Sequence, residues 1–299
     1  MNRLTSLQNM AKLNKNQIVS IANAADFEVL DTVKKAINEE MCSFILFGDE
    51  QDIRSVAKTV DLDLSSTRIA LENVTNPAES AVKAVHHNEA HILMKGNVST
   101  KDLLKTVLNE RYGLRSGSVL SHVALFEIPN QDRLLFLTDA AMNIAPSLKE
   151  KIEIVNNAVK VAHHIGVKNP KVAALTSVEV VNPAMQATID AAALTQMQRR
   201  GQITGCTIDG PLAFDNAVSI EAAEHKNIVS DVAGYADMLL VPTIEVGNAL
   251  YKSFMYFAGA KVAAVISGAK APIILTSRAD SAESKLYSLS LALLASKTF

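Results

Sequence analysis

Ser277 and Arg278 follow Thr276 at the end of a short apolar run, Pro272 to Leu275, and a segment with a strong helix-start pattern begins at once after them. A helix N-terminus leaves backbone N–H groups unsatisfied and carries partial positive charge. A hydroxyl and a guanidinium set in front of it complete an anion site, and phosphate is the fitting guest. The plainer alternative at this spacing is a turn in which Ser277 caps the helix and Arg278 pairs with a surface carboxylate.

The same design, a polar residue at the end of an apolar run, recurs along the chain. Runs rich in β-branched residues alternate with stretches of helical period, the pattern of βαβ units and a parallel sheet. The expected strands are 17–22, 43–47, 91–94, 119–126, 134–137, 171–175, 238–241, 263–266 and 273–275. After them come Asp49, Lys95-Gly96-Asn97, Asp139, Ser177 with Glu179 (which is to say the segment after VAALT), Thr243 with Glu245, Lys270 and Ser277-Arg278, and Asp209-Gly210 follows GCTI.

 In open parallel sheets ligands bind beyond the carboxyl ends of the strands, so these positions sample a binding site. Most polar loop residues are simply solvated. The cationic subset, Lys95, Arg115, Lys252, Lys270 and Arg278, is more pointed, because a slightly acidic protein has no electrostatic need to gather cations unless the ligand is an anion.

Helix-start patterns support this reading. Ser99-Thr-Lys-Asp102 has the form of a capping box, with Gly113 placed to stop the helix that follows, and Asp280-Ser-Ala-Glu283 has the same form. The chain of 299 residues, with 48% hydrophobic and 20% charged residues and a net charge of -2, reads as globular, with no basic excess for nucleic acid or an anionic membrane. No long apolar run suggests export or membrane insertion, so a cytoplasmic protein is expected. Cys42 and Cys206 lack CxxC spacing and are expected in the core.

Several standard sites are missing from the sequence. There is no GxGxxG after the first strand, no GxxxxGK[ST] and no GxSxG. His86, His87 and His91 cluster, but HNEAH is not HExxH and no third ligand is evident, so no metal is expected. His122 reads either as a hydrogen-bonded structural histidine or as a site residue.

Six ordered segments then carry a resemblance: KGNVST (95–100), LRSGSVLSHVALFE (114–127), LTDAAMNIAP (137–146), DGPLAFDNAVS (209–219), VPTIEVGNALYKSFMYFAGAK (241–261) and APIILTSRADSAESK (271–285). Together they resemble the phosphate acetyl/butyryl transferase family, most like its phosphate butyryltransferase branch. The resemblance implies an α/β fold of two lobes like that of isocitrate and isopropylmalate dehydrogenases. One lobe would be 1–125 plus 262–299 and would carry the Ser–Arg phosphate site; the other would be 126–261, with the active site in the cleft between them. It implies reversible transfer of a short acyl group, butyryl favoured, between coenzyme A and inorganic phosphate. Coenzyme A thioester and phosphate would be substrates, with no bound cofactor and no metal.

Carried over residue by residue, the resemblance implies roles for Ser277 and Arg278 at the phosphate and reacting acyl group and for Arg115 as a second cleft arginine. Lys252 and His122 are the further catalytic candidates, as sources of field or proton relay, and Lys95, Asn97, Asp139, Asn248 and Thr276 join Arg115 as candidate substrate contacts. The acetyl branch has an Asp six residues after the Arg as the proposed base for the thiol; here that position is Ser284. Acetyl or branched-chain acyl transfer are the neighbouring alternatives, and an NAD-dependent hydroxy-acid dehydrogenase on the same scaffold or a silent acyl-coenzyme A sensor are the distant ones. The helix pattern in ALYKSFMYFAGAK suits a self-association face as well as a core, and a homo-oligomer is expected.

Overall fold

The computed structural model describes residues 2–13, 16–275 and 281–296. Among these residues the chain opens with Leu4–Ala11 (α1), Ile18–Ala22 (β1), Phe27–Asn38 (α2), Ser43–Gly48 (β2), Glu50–Thr59 (α3), Ile69–Asn73 (β3), Pro77–His86 (α4), Ile92–Lys95 (β4) and Thr100–Val107 (α5). It continues through Ser121–Glu127 (β5), Leu135–Thr138 (β6), Leu148–His164 (α6), Lys171–Leu175 (β7), Gln186–Arg199 (α7), Thr207–Leu212 (β8), Phe214–Val218 (α8), Ile220–His225 (α9), Met238–Leu240 (β9) and Ile244–Tyr256 (α10). Lys261–Ser267 (β10), Ile273–Ile274 (β11) and Ala282–Ala295 (α11) close it.

Two compact units divide the chain. The unit made of 4–118 and 263–299 holds strands in the order β3-β2-β1-β4-β11-β10, parallel except for the antiparallel β10–β11 pair. The unit made of 1–3 and 119–262 holds β5-β6-β9-β7-β8, parallel except for β5–β6. The result is an α/β fold with mixed, mostly parallel strands. Strands such as β4 and β6 are buried at every position, which is why they read as unbroken apolar runs rather than alternating ones.

Helix starts are fixed by side-chain acceptors. Asp26, Asp49, Asn76 and Ser99 each precede a helix and accept a backbone N–H from its first turn. Ser147 and Glu150 cap α6 reciprocally. Each such cap contributes about 1 kcal/mol. The last helix, α11, is buried along nearly its whole length and contacts α1 and α2, so its all-round apolar sequence marks a core helix. Lys151 on α6 and Asp190 on α7 form a buried ion pair at 2.6 Å, and Gln186 donates to the second carboxylate oxygen at 2.8 Å.

Some expectations need correction. Strands β3 and β8 were not among the expected strands: IALEN is half-exposed and carries a Glu and an Asn, and TIDGPL carries a Gly-Pro pair that reads as a turn. Asp209 and Gly210 lie inside β8 rather than after it. The helix after Ser99 ends at Val107, with Leu108 as its cap, so Gly113 does not stop it. Gly113 instead serves a tight turn, where an added Cβ would meet the Asn109 carbonyl oxygen at 2.2 Å. The residue capping α11 is Ser281, which accepts from the Ser284 amide at 3.2 Å; Asp280 lies outside the described residues.

Candidate functional site

In the unit containing β4, the strand ends in Lys95, which is buried and donates from Nζ to the Gly96 carbonyl at 3.2 Å. Gly96 is required here by close approach: an added Cβ would sit 2.1 Å from the Asn23 carbonyl oxygen. Asn97 is exposed, with its amide on Asn23 O at 2.7 Å and its carbonyl accepting from Asn23 Nδ2 at 2.9 Å. The β4 carboxyl end is thus clamped to the β1 carboxyl end. Arg115 is half-exposed, 3.3 Å from Glu110, and bridges to Ala269 through its backbone. The adjacent Lys270 amide donates to Leu114 O, which places two of the expected cations on neighbouring positions of one narrow strip. Thr276, Ser277 and Arg278 lie outside the described residues.

The second group belongs to the unit containing β5 and β6. Asp139 follows β6 and is 2% exposed. Its Oδ1 accepts the amides of Ala141 and Met142, each at 3.0 Å, and its Oδ2 accepts the Asn143 amide at 3.1 Å. Asn143 Nδ2 also donates to that oxygen and to Leu120 O, tying the turn to the start of β5. Hydrogen bonds to a charged acceptor are worth about 1.5–3 kcal/mol each, so this turn is firmly set. Among the described residues, the donors aimed at the carboxylate come from its own turn.

That turn seats α10. An added Cβ on Gly247 would lie 2.6 Å from Asp139 O and 2.8 Å from Ala140 Cα, so the helix backbone touches the turn directly. Gly247, Tyr251 and Phe254 recur at helical spacing on the inward stripe, while Asn248 and Lys252, four residues apart, stand exposed one position further round. The Thr243 hydroxyl at the head of α10 holds the Glu245 carboxyl below its ordinary value. His122 on β5 is buried; its carbonyl accepts from Thr138 Oγ1 at 2.8 Å, and its ring centroid lies 5.8 Å from that of Tyr251.

Sequence reasoning missed Asn143, Gly247 and Tyr251. The signal was present in LTDAAMN, whose Asp and Asn are four apart, and in GNALYK, whose Gly opens the inward stripe. Two of the clustered histidines have structural employment: His86 Nδ1 lies 3.1 Å from Gly113 O, and His91 Nδ1 accepts the Ile18 amide at 3.0 Å. Among the described residues no group of three or more His, Cys, Asp or Glu could hold a metal ion, and no helix is long and apolar enough to cross a membrane. Burial pushes the Cys42 thiol up to about 12 and the Cys206 thiol up to about 11, so neither is a ready nucleophile.

Comparison with known proteins places these segments in context. Residues 65–293 match the family described as phosphate acetyl/butaryl transferase. The chain is 56% identical over 300 residues to a Bacillus subtilis protein named "Probable phosphate butyryltransferase", covering 99% of both chains. It is 50% identical over 277 residues to a phosphate butyryltransferase of Clostridium acetobutylicum, covering 92% of each. Among solved structures, a branched-chain phosphotransacylase from Enterococcus faecalis superposes with a TM-score of 0.81 at 38% identity, covering 94% of this chain and 99% of that one.

The Asp139 turn makes a specific demand. In Asp139→Asn the amide nitrogen would face the Asn143 amide and Nδ2, donor against donor, so the variant is expected to lose about 2 kcal/mol of unfolding free energy. Urea unfolding followed by circular dichroism measures this, and unchanged stability would show that the carboxylate does not hold the turn.

Proposed function

Because the chain belongs to the phosphate acetyl/butyryl transferase family, we propose that it catalyses reversible transfer of a short acyl group between coenzyme A and inorganic phosphate, with butyryl as the favoured group. The observation that carries this reading is the near full-length identity to phosphate butyryltransferases. The similarity to a branched-chain phosphotransacylase supports a second acyl preference, for branched chains of similar length. Two methylenes separate butyryl from acetyl, each worth roughly 0.8 kcal/mol on burial, so one pocket side chain is enough to set the choice. The two-lobed scaffold of isocitrate dehydrogenase type, with 1–125 plus 262–299 as the lobe carrying the Ser–Arg pair, belongs to this proposal.

In the reaction a phosphate oxygen attacks the thioester carbonyl, a tetrahedral intermediate forms, and the carbon–sulfur bond breaks to give acyl phosphate and thiolate. Phosphate has to be held in line with the carbonyl, and a planar guanidinium can grip two of its oxygens at once. Arg278 is assigned that task, with Arg115, Lys95, Asn97 and Thr276 as further substrate contacts. Ser277 is assigned as donor to the developing oxyanion, a role worth on the order of 3–4 kcal/mol.

The thiolate leaves as a weak base, since a free thiol has an ordinary pKa of about 8.5, and nearby cations stabilise it further. This chemistry tolerates Ser284 where the acetyl branch has Asp. The amide of Ser284 is taken by the Ser281 cap and its hydroxyl lies 3.3 Å from that of Ser281, so helix start is the task this residue performs. Lys252 is assigned to the thiolate charge and His122 to proton relay. Asn248 contacts substrate from the same exposed face as Lys252, and Asp139 serves the substrate by fixing the turn on which that helix rests. The protein works as a homo-oligomer in the cytoplasm on this reading.

One assay tests the proposal: mix the protein with acetyl-, butyryl- and isobutyryl-coenzyme A, with and without phosphate, and follow free thiol with a disulfide dye. The two protein thiols are buried and contribute no background. Phosphate-dependent release fastest with butyryl-coenzyme A is expected; release that ignores phosphate, or requires a nicotinamide cofactor, would refute it. In the same assay Arg278→Ala is expected to lower kcat about 10²- to 10³-fold with unchanged circular dichroism, and near-normal turnover would remove Arg278 from the mechanism.

A further inference from the structure

A cavity of about 220 Å³ opens in the unit containing β5 and β6, walled by Ile128, Leu135, Phe214, Val218 and Phe254, with Arg133 beside them. The acyl-transfer reading makes no use of it. Leu135 is the first residue of β6 and Asp139 follows its last, so the cavity lies at the opposite end of that strand from the turn that seats α10. Among the described residues lining it, Arg133 alone carries charge. Its Nε lies 3.2 Å from Asp132, an exposed carboxylate, and such a surface contact holds a guanidinium only weakly.

These features define a ligand. An apolar hollow of about 150 Å³ is enough for a six-carbon guest such as benzene, so this one takes an aliphatic tail of similar size. A guanidinium at the edge of an apolar wall pairs with a carboxylate through two parallel hydrogen bonds. We propose that this cavity is a binding site for a medium-chain aliphatic carboxylate, its tail against the Phe214 and Phe254 rings and its head on Arg133.

The cavity is also joined to residues assigned to the reaction. Phe254 belongs to α10, close to one turn beyond Tyr251 on the same stripe. Ring centroids run from Phe214 to Phe254 at 6.1 Å, Phe254 to Phe126 at 5.2 Å, Phe126 to Tyr251 at 5.2 Å and Tyr251 to His122 at 5.8 Å. A tail wedged against Phe254 therefore bears on the helix that presents Asn248 and Lys252. Binding at the cavity stands on its own geometry, apart from the acyl-transfer reading.

The experiment is isothermal titration of the full chain with butyrate, hexanoate and hexanol, in wild type, Arg133→Gln and Ala236→Trp. One hexanoate per chain is expected, tightening about fourfold for each methylene added from butyrate. Arg133→Gln, a surface change that leaves the fold intact, is expected to weaken hexanoate at least tenfold and leave hexanol unaffected. Ala236 also lines the cavity and is buried, so Ala236→Trp fills it and is expected to abolish both while circular dichroism shows the fold retained. Hexanoate affinity indifferent to both substitutions, or no saturable binding, would overturn the proposal. So would a light-scattering dimer that Phe214→Asp splits and that takes up no hexanoate, because a second copy would then cover the cavity.

Discussion

The Asp139 carboxylate gathers three backbone amides and the Asn143 side chain into one turn, and the backbone of α10 rests on that turn at Gly247. A buried carboxylate with this many donors has essentially one arrangement. Because Gly247 has no side chain, the helix comes close enough to inherit that rigidity. The exposed positions 248 and 252 are then displayed at a fixed height and rotation, set by helix geometry rather than by contacts of their own. On the proposed reading, a lysine on such a rigid stem brings charge near the departing sulfur without a costly rearrangement of the backbone beneath it when the bond breaks.

The other unit uses a different device for the same purpose. The carboxyl ends of β1 and β4 are locked by reciprocal hydrogen bonds between Asn23 and Asn97 and by the glycine at 96, which admits a carbonyl where any side chain would collide. Lys95 is buried within this lock, whereas Arg115 and Lys270 stand on the strip beside β10. Cations held on strand ends are better placed for an anionic substrate than cations on long loops, because the backbone beneath them does not have to be ordered when the ligand arrives.

Much of this was legible in the sequence, and the failures have physical reasons. Buried parallel strands announced themselves as apolar runs, and nine were located within a few residues. Strand β3 was missed because its side chains are largely exposed, which removes the hydrophobic pattern that marks the others. Gly113 was misread because the sequence shows a glycine after a helix but not that a carbonyl closes in on it six residues beyond the last helical position. Lys95, Asp139, Asn248 and Lys252 were picked out by their place at strand ends or within a recognisable segment. Asn143 was passed over although LTDAAMN sets it four residues from Asp139, and Gly247 was passed over because its importance lies in a backbone contact with a turn about a hundred residues earlier in the chain, which no local spacing records.

The account's central claim is that Asp139 acts on catalysis by placing α10, and a double-mutant cycle in kcat/KM for butyryl-coenzyme A tests it most directly. If the turn matters through Lys252, then Asp139→Ala costs far less in a Lys252→Ala background than in the wild type, with a coupling of at least about 1.4 kcal/mol, or tenfold. Losses that simply add would contradict it, because the two residues would then be acting independently.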